Sequence, residues 1–234
     1  LQLTAAGERL LHLAREVIAS VQHMRAEMGN YASGRQAVLR IVGNTSAMTQ
    51  FLPGDVAAFQ GRHEAVRVVL EEGWSDEAVR RVRGGEADLG VVVEGSDTRG
   101  LCCRPYRRDR LAAVLRADDP LDGAAVGFAD LLERDLIGLE GGSTLTRLLA
   151  AQAASLMRPM ALRVQVRSFE AVCRAVEARL GVGILPLAAA RSFAAAMQLK
   201  VLPLTDAWAL RRMVLCVRAA PAPQTALDAL LSHL

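Results

Sequence analysis

The chain has 234 residues, long enough to bury a sizeable core and to form one or two domains. With 52% apolar and 23% charged residues, its composition excludes a disordered chain, and no apolar run approaches the roughly 18 to 20 residues that span a bilayer. The net charge of +3 is too small to mark a nucleic-acid surface. The arginines, Arg80, Arg81 and Arg83 in one segment and Arg104, Arg107, Arg108 and Arg110 in another, read as solvated faces or local ion pairs.

Cys102, Cys103, Cys173 and Cys216 lack the spacing of a metal site. Cys102 and Cys103 fall on opposite faces if their segment is a strand, so they do not chelate one ion together. Scattered cysteines of this kind fit a reducing cytosol, and the expected location is cytoplasmic. No signal peptide opens the chain. The sequence lacks an initiator Met and opens on LQLTAAGERLL, so a segment upstream is expected to be missing.

From Thr4 to about Met28 there is no proline, and Gly7 is the only glycine. Thr4 reads as an N-cap, with Glu8 near the first turn, where the helix dipole favours a carboxylate. Leu10, Ala14, Val17, Val21, Met24 and Met28 recur at alternating steps of four and three, the a/d pattern of a coiled-coil seam. A helix of this span is roughly 35 to 40 Å long. It either packs on its own domain or pairs with a second copy. The sequence after Gly29-Asn30, with residues 31–37 reading as a linker, favours pairing.

Beyond the linker, strands and helices alternate. Val38–Gly43 reads as a strand, 45–62 as one helix containing Pro53, and 66–71 as a strand. Ser75–Arg83 reads as a helix capped by Ser75 and ended by Gly84-Gly85, and 87–93 as a buried strand. Two extended pieces, 101–106 and 111–116, precede a turn at 118–123. A second series follows: strand 136–139, helix 143–157, strand 162–167, helix 169–180, strand 183–186 and a helix to about Met197. Strands 199–204 and 213–218 and a helix over 224–234 close the chain. The pattern predicts an α/β fold of two similar lobes, with mostly parallel sheets and a ligand crevice at the carboxyl ends of the strands.

The residues with chemistry lie at strand-to-helix junctions. Asn44, Thr45 and Ser46 open a helix, where free N–H groups and hydroxyls make a carboxylate cradle; one of them also caps the helix. Gly141-Gly142-Ser143-Thr144 is the counterpart in the second series. Its glycines allow close approach to the backbone, and Ser143 and Thr144 offer hydroxyls. Phe169, after Ser168, either walls a pocket or belongs to the core, and Val93, which ends a strand, either lines the pocket floor or is core. Trp74 is either pocket wall or interface, and Pro186 fixes a turn. His12, His23, His63 and His233 have no partner motif of the G-x-S-x-G or HExxH kind, so no catalytic set, metal site or cofactor is expected.

LTAAGERLL resembles the junction between the winged helix-turn-helix and the linker helix of LysR-type transcription regulators. AVLRIVGNTSAMTQFLPGDVAAFQGRHEAVRVVLEEG, AVRRVRGGEADLGVVV, DLIGLEGGSTLTRLL and SFEAVCRAVEARLGVGILP resemble successive segments of that family's effector domain. The resemblance implies a two-lobed fold like the type II periplasmic binding proteins, preceded by a long linker helix. It implies that lobe I, 38–108 plus 206–234, is interrupted by lobe II, 109–205, and that residues 1–30 are the end of the DNA-binding region and a dimerising helix. It also implies a small effector held between the lobes, with Asn44, Thr45 and Ser46 at a position that the family's effector site uses; Val93, Gly142, Ser143, Thr144 and Phe169 are the further candidates that residue chemistry adds. The chemistry of these positions points to a carboxylate or another small anion. Further implications are a homodimer or homotetramer, DNA contact only through the missing N-terminal domain, and no membrane partner. The alternatives are a stand-alone solute-binding protein for transport and an enzyme of similar fold. The helix seam and the absence of a signal peptide weigh against the first, and the absence of a catalytic set against the second.

Overall fold

The computed structural model describes residues 38–140, 143–219 and 225–234, together with Thr4, Ala6, Gly7, Arg9, Leu10, Leu13, Ala14, Val17, Ile18, Val21 and Met24. Met28, Gly142, His12 and His23 lie outside the described residues. Among those described near the start, Ala6 to Met24 are helical, and Thr4 Oγ1 accepts a bond from the Gly7 N–H at 3.2 Å, the expected N-cap.

The chain divides into two compact units, one running up to Tyr106 and resuming at Val214, the other Arg107–Met213. In the first unit β1 (Val38–Gly43) is central, parallel to β2 (Arg67–Glu72) on one side and to β3 (Leu89–Val93) on the other. Ile41, Val42, Val91 and Val92 are fully buried, so these β-branched runs are covered on both faces. The expected helix over 45–62 is two helices, α1 (Thr45–Gln50) and α2 (Leu52–Gln60), separated at Phe51. Pro53 explains the break: it has no N–H to give, and its ring would strike the carbonyl of Thr49 in a continuous helix. α3 (Ser75–Arg83) packs Ala78, Val79 and Val82 inward and carries Asp76 and Glu77 at its start and three arginines at its end, each charge placed to suit the dipole. Trp74, not Ser75, is its N-cap; Ser75 is buried, and its Oγ accepts from the Val93 N–H at 3.4 Å. Gly85, at φ 76°, makes the left-handed turn that ends the segment.

Several arginines do form local pairs, Arg81 with Glu71 at 2.6 Å and Arg83 with the Asp97 and Arg99 carbonyls. The two extended pieces after β3 are one 15-residue strand, β4 (Cys102–Arg116), exposed over most of its first half and buried over its second. It belongs to both units, as does β9 (Leu210–Val217) near the chain end.

The second unit follows the predicted order. α4 (Phe128–Leu131), a single turn not foreseen from sequence, leads to β5 (Leu136–Leu139), α5 (Thr144–Ser155), β6 (Leu162–Val166), α6 (Phe169–Glu177), β7 (Val182–Pro186), α7 (Leu187–Ala194) and β8 (Leu199–Pro203). α8 (Thr225–His233), in the first unit, closes the chain. β5 lies between β6 and β7, parallel to both, while β4 runs antiparallel to β7 and β8. α6 buries Phe169, Val172, Cys173 and Val176. A Cβ on Gly183 would lie 2.6 Å from Val172 Cγ1, so only glycine lets this helix approach β7 so closely. Phe128 meets Trp208 edge-on at 5.2 Å in the same core.

Asp109 on β4 and Arg211 on β9 form an ion pair inside the second unit, their side chains 3% and 4% exposed, with Arg211 Nε donating to Asp109 Oδ1 at 2.9 Å. Removing one partner of a buried pair strands the other charge. Arg211→Ala and Asp109→Ala are each expected to cost about 3–5 kcal/mol, whereas Asp109→Leu with Arg211→Met recovers most of that loss. Urea unfolding measures this; losses below about 1 kcal/mol in the single variants would show that the pair is not desolvated.

Candidate functional site

In the first unit the carboxyl ends of three parallel strands share one edge with the starts of α1 and α3. β1 ends at Gly43, whose carbonyl accepts from the Gly73 N–H at 3.0 Å. A Cβ on Gly43 would meet Leu52 Cδ1 at 2.5 Å, so a larger residue there would displace the Leu52 side chain that covers the strand end. Asn44, 6% exposed, follows in extended conformation. Its N–H donates to the Val91 carbonyl at 3.2 Å, and its Oδ1 caps α1 by accepting from the Ala47 N–H at 3.0 Å. These bonds fix the side chain and leave Nδ2 buried with no hydrogen-bond partner among the described residues. A buried amide donor without a partner costs about 1–3 kcal/mol, so its presence calls for a physical reason.

Ser46 is buried on the same turn, and Thr45 Oγ1 donates to Glu72 Oε1 at 2.6 Å. Val93 ends β3, half-buried, its carbonyl held by Ser96 Oγ at 2.8 Å. At six residues α1 has a small macrodipole, so the cradle expected here rests on side chains more than on the helix end. Sequence reasoning missed Glu72, which stands opposite Gly43 in the β1–β2 register. It also missed Gln50, whose Nε2 donates to the Ser46 carbonyl while Oε1 is buried without a partner among the described residues. Only the strand register and the break after Gln50 reveal either.

The second unit repeats the arrangement. β5 and β6 end together, Glu140 N–H donating to the Val166 carbonyl at 3.0 Å, and α5 begins at Thr144. Ser143 is the N-cap, buried, its Oγ accepting from the Leu145 N–H at 3.2 Å. Thr144 Oγ1 is buried without a partner among the described residues, whereas Thr146 Oγ1, also overlooked from sequence, satisfies the Leu139 carbonyl at 2.9 Å. α5 has 12 residues and no acidic side chain in its first turn, so its positive end is uncompensated there. Phe169 is the first residue of α6, and its ring is in the core of the second unit. Ser168 caps that helix through the Ala171 N–H at 3.2 Å.

A cavity of about 420 Å³ in the second unit lies among other residues. Its charges are paired: Arg116 and Arg179 with Asp118, Arg134 with Asp119, and Arg163 with Asp135. Hydrogen bonding to Arg134 holds the Asp119 carboxyl below its ordinary range. Among the described residues no group of His, Cys, Asp and Glu could hold a metal ion, and His63 and His233 pack against the Phe59 ring.

Known proteins share this architecture. The effector-binding domain of BenM with its effector benzoate superposes with a TM-score of 0.74 at 18% identity, covering 85% of this chain and 90% of that one. The effector-binding domain of QuiR in complex with shikimate gives 0.73 at 16% identity, covering 84% and 94%. The probable nitrogen assimilation transcriptional activator of Synechococcus elongatus is 25% identical over 193 residues, 81% of this chain and 62% of that protein. The chain thus spans about three fifths of the length of the curated relatives it matches. The LysR substrate binding domain model matches residues 32–234, nearly the whole chain after the opening helix, and the chain belongs to that family.

Proposed function

We propose that this chain is the effector-sensing and oligomerisation portion of a LysR-type DNA-binding transcription regulator. The observation that carries the reading is the pair of buried polar atoms without partners, Asn44 Nδ2 in one unit and Thr144 Oγ1 in the other. Each stands at the start of a helix, beside hydroxyls and backbone N–H groups suited to an anionic oxygen. Asn44, Ser46, Ser143 and Thr144 supply donors, Thr45 and Val93 shape the first unit's edge, and Phe169 supports the second from its core. Gly142 completes the set as a site of close approach. The effector is a small carboxylate, and Glu72 favours one with a hydroxyl or ammonium group near the acid function. Benzoate and shikimate, bound by two proteins of the same fold, are carboxylates. The family match and regulators among the relatives favour this reading over solute transport or catalysis.

The opening helix is the assembly element, joined to the sensing domain by 31–37. Leu10, Val17 and Met24 are 68, 63 and 57% exposed, and Leu13, Ala14, Ile18 and Val21 are exposed with them. An apolar stripe at heptad spacing left in water is a surface for a second copy of itself, giving a homodimer or homotetramer. Effector binding shifts the populations of the sensing domain and so the geometry of the assembly, which sets the spacing of DNA-binding heads carried upstream. The described residues include no helix long and apolar enough to cross a membrane.

A thermal-shift panel of small organic acids beginning with benzoate and shikimate tests the effector reading. At least one acid is expected to raise the melting temperature; a panel in which none does counts against a carboxylate. Asn44→Asp keeps the acceptor that caps α1 but replaces the Nδ2 donor with a repelling oxygen, and Thr144→Val removes the hydroxyl. Each is expected to weaken the best acid by about tenfold or more, while Thr144→Val leaves the free protein at least as stable as before, because the hydroxyl it removes is buried without a partner among the described residues. Unchanged affinity in both variants overturns the site. For the helix, Val17→Asp with Val21→Asp is expected to convert the assembly into a monomer by light scattering. A variant that stays assembled refutes the seam.

A further inference from the structure

Two thiols that the effector reading does not use face each other in the first unit. Cys103, on β4, is exposed, and Cys216, on the neighbouring β9, is fully buried. Their sulfur atoms are 3.1 Å apart. We propose that Cys103 and Cys216 form a reversible oxidation site, converted by a hydroperoxide into a disulfide within one chain.

The two sulfurs have different surroundings and therefore different roles. Cys103 is open to an oxidant in water. Cys216 sits among Val42, Ala78, Val79, Val82 and Val92. Burial, and then the hydrogen bond with Cys103, pushes the Cys216 thiol far up, so it stays protonated and waits as the resolving group. The Cys103 thiolate attacks one oxygen of hydrogen peroxide. The S–O bond forms, the O–O bond breaks, and the departing hydroxide takes a proton to leave as water. The Cys216 sulfur then attacks the Cys103 sulfenic acid. The S–S bond forms, the S–O bond breaks, and the hydroxide leaves with the Cys216 proton as a second water. Two thiols are oxidised, and one peroxide is reduced to two waters.

The step needs little movement, because the sulfurs must close by about 1 Å to reach the disulfide length of about 2.05 Å. Cys102 is a poor competitor, since neighbouring residues on a strand point to opposite faces. Cys173 is buried in the other unit. The bond would join β4 to β9, the two strands that carry the chain from one unit to the other.

The test treats the reduced full chain with hydrogen peroxide, blocks remaining thiols with N-ethylmaleimide after denaturation, and maps peptides by mass spectrometry. The expected product has lost two hydrogens and two alkylatable thiols, contains one peptide pair joined through Cys103 and Cys216, and reverts with dithiothreitol. Cys102→Ser is expected to oxidise as the parent does. Cys216→Ser is expected to stop at a Cys103 sulfenic acid that dimedone traps. The proposal is overturned if Cys216 remains alkylatable while Cys103 accumulates sulfinic acid, or if the link formed is from Cys102 or between two chains. The mapping of the unmodified chain decides this even where a variant folds poorly.

Discussion

The buried pair between Asp109 and Arg211 is the constraint on which the rest of the structure depends. The chain enters the second unit along β4 and leaves it along β9, and these residues lie a few positions inside each crossing. Two charges removed from water are tolerated only when each satisfies the other with good geometry, and here a guanidinium meets both carboxylate oxygens. The pair therefore ties together strands 102 residues apart in sequence at the point where the fold passes from one core to the other. An apolar pair would hold the strands with less directional demand, since hydrogen-bonded charges fix register as well as proximity.

With the strands so held, both units end their parallel strands the same way. Asn44 follows β1 and Ser143 immediately precedes α5, and each uses a side-chain oxygen to cap the helix that comes next. Capping consumes one polar atom and leaves others nearby uncommitted. Asn44 has a second amide atom, and Thr144 has a hydroxyl beside the cap, and neither meets a partner among the described residues. Buried donors left without partners carry a cost in stability, and in the proposed function an oxygen-rich ligand offsets it on binding. That reasoning links the two junctions to sensing without requiring any catalytic group.

Much of this was legible in the sequence. Val38–Gly43 and Leu136–Leu139 are short apolar runs, and their bounds coincide with the observed strands. The a/d stripe from Leu10 to Met24 was readable for the same reason, because periodicity survives without tertiary context. Strand β4 was not, since Arg107, Arg108, Asp109 and Arg110 read as a polar break; only a distant arginine makes Asp109 buriable. The break at Phe51 was signalled by Pro53 but placed within one helix, and a single turn such as Phe128–Leu131 is too short to show a period. At the site, Asn44 and Ser143 announced themselves as caps. Glu72 did not, because strand register, which no local pattern encodes, brings it opposite Gly43 and within reach of Thr45.

The central claim is that the free amide of Asn44 holds an anionic group of the effector. Its most direct measurement is the Asn44 side-chain NH₂ resonance pair, assigned by ¹⁵N NMR and followed during titration with the organic acid that most stabilises the protein. The account predicts a saturable downfield shift of that pair, with the same midpoint as the calorimetric binding curve. A pair that stays in place while other resonances saturate would contradict it.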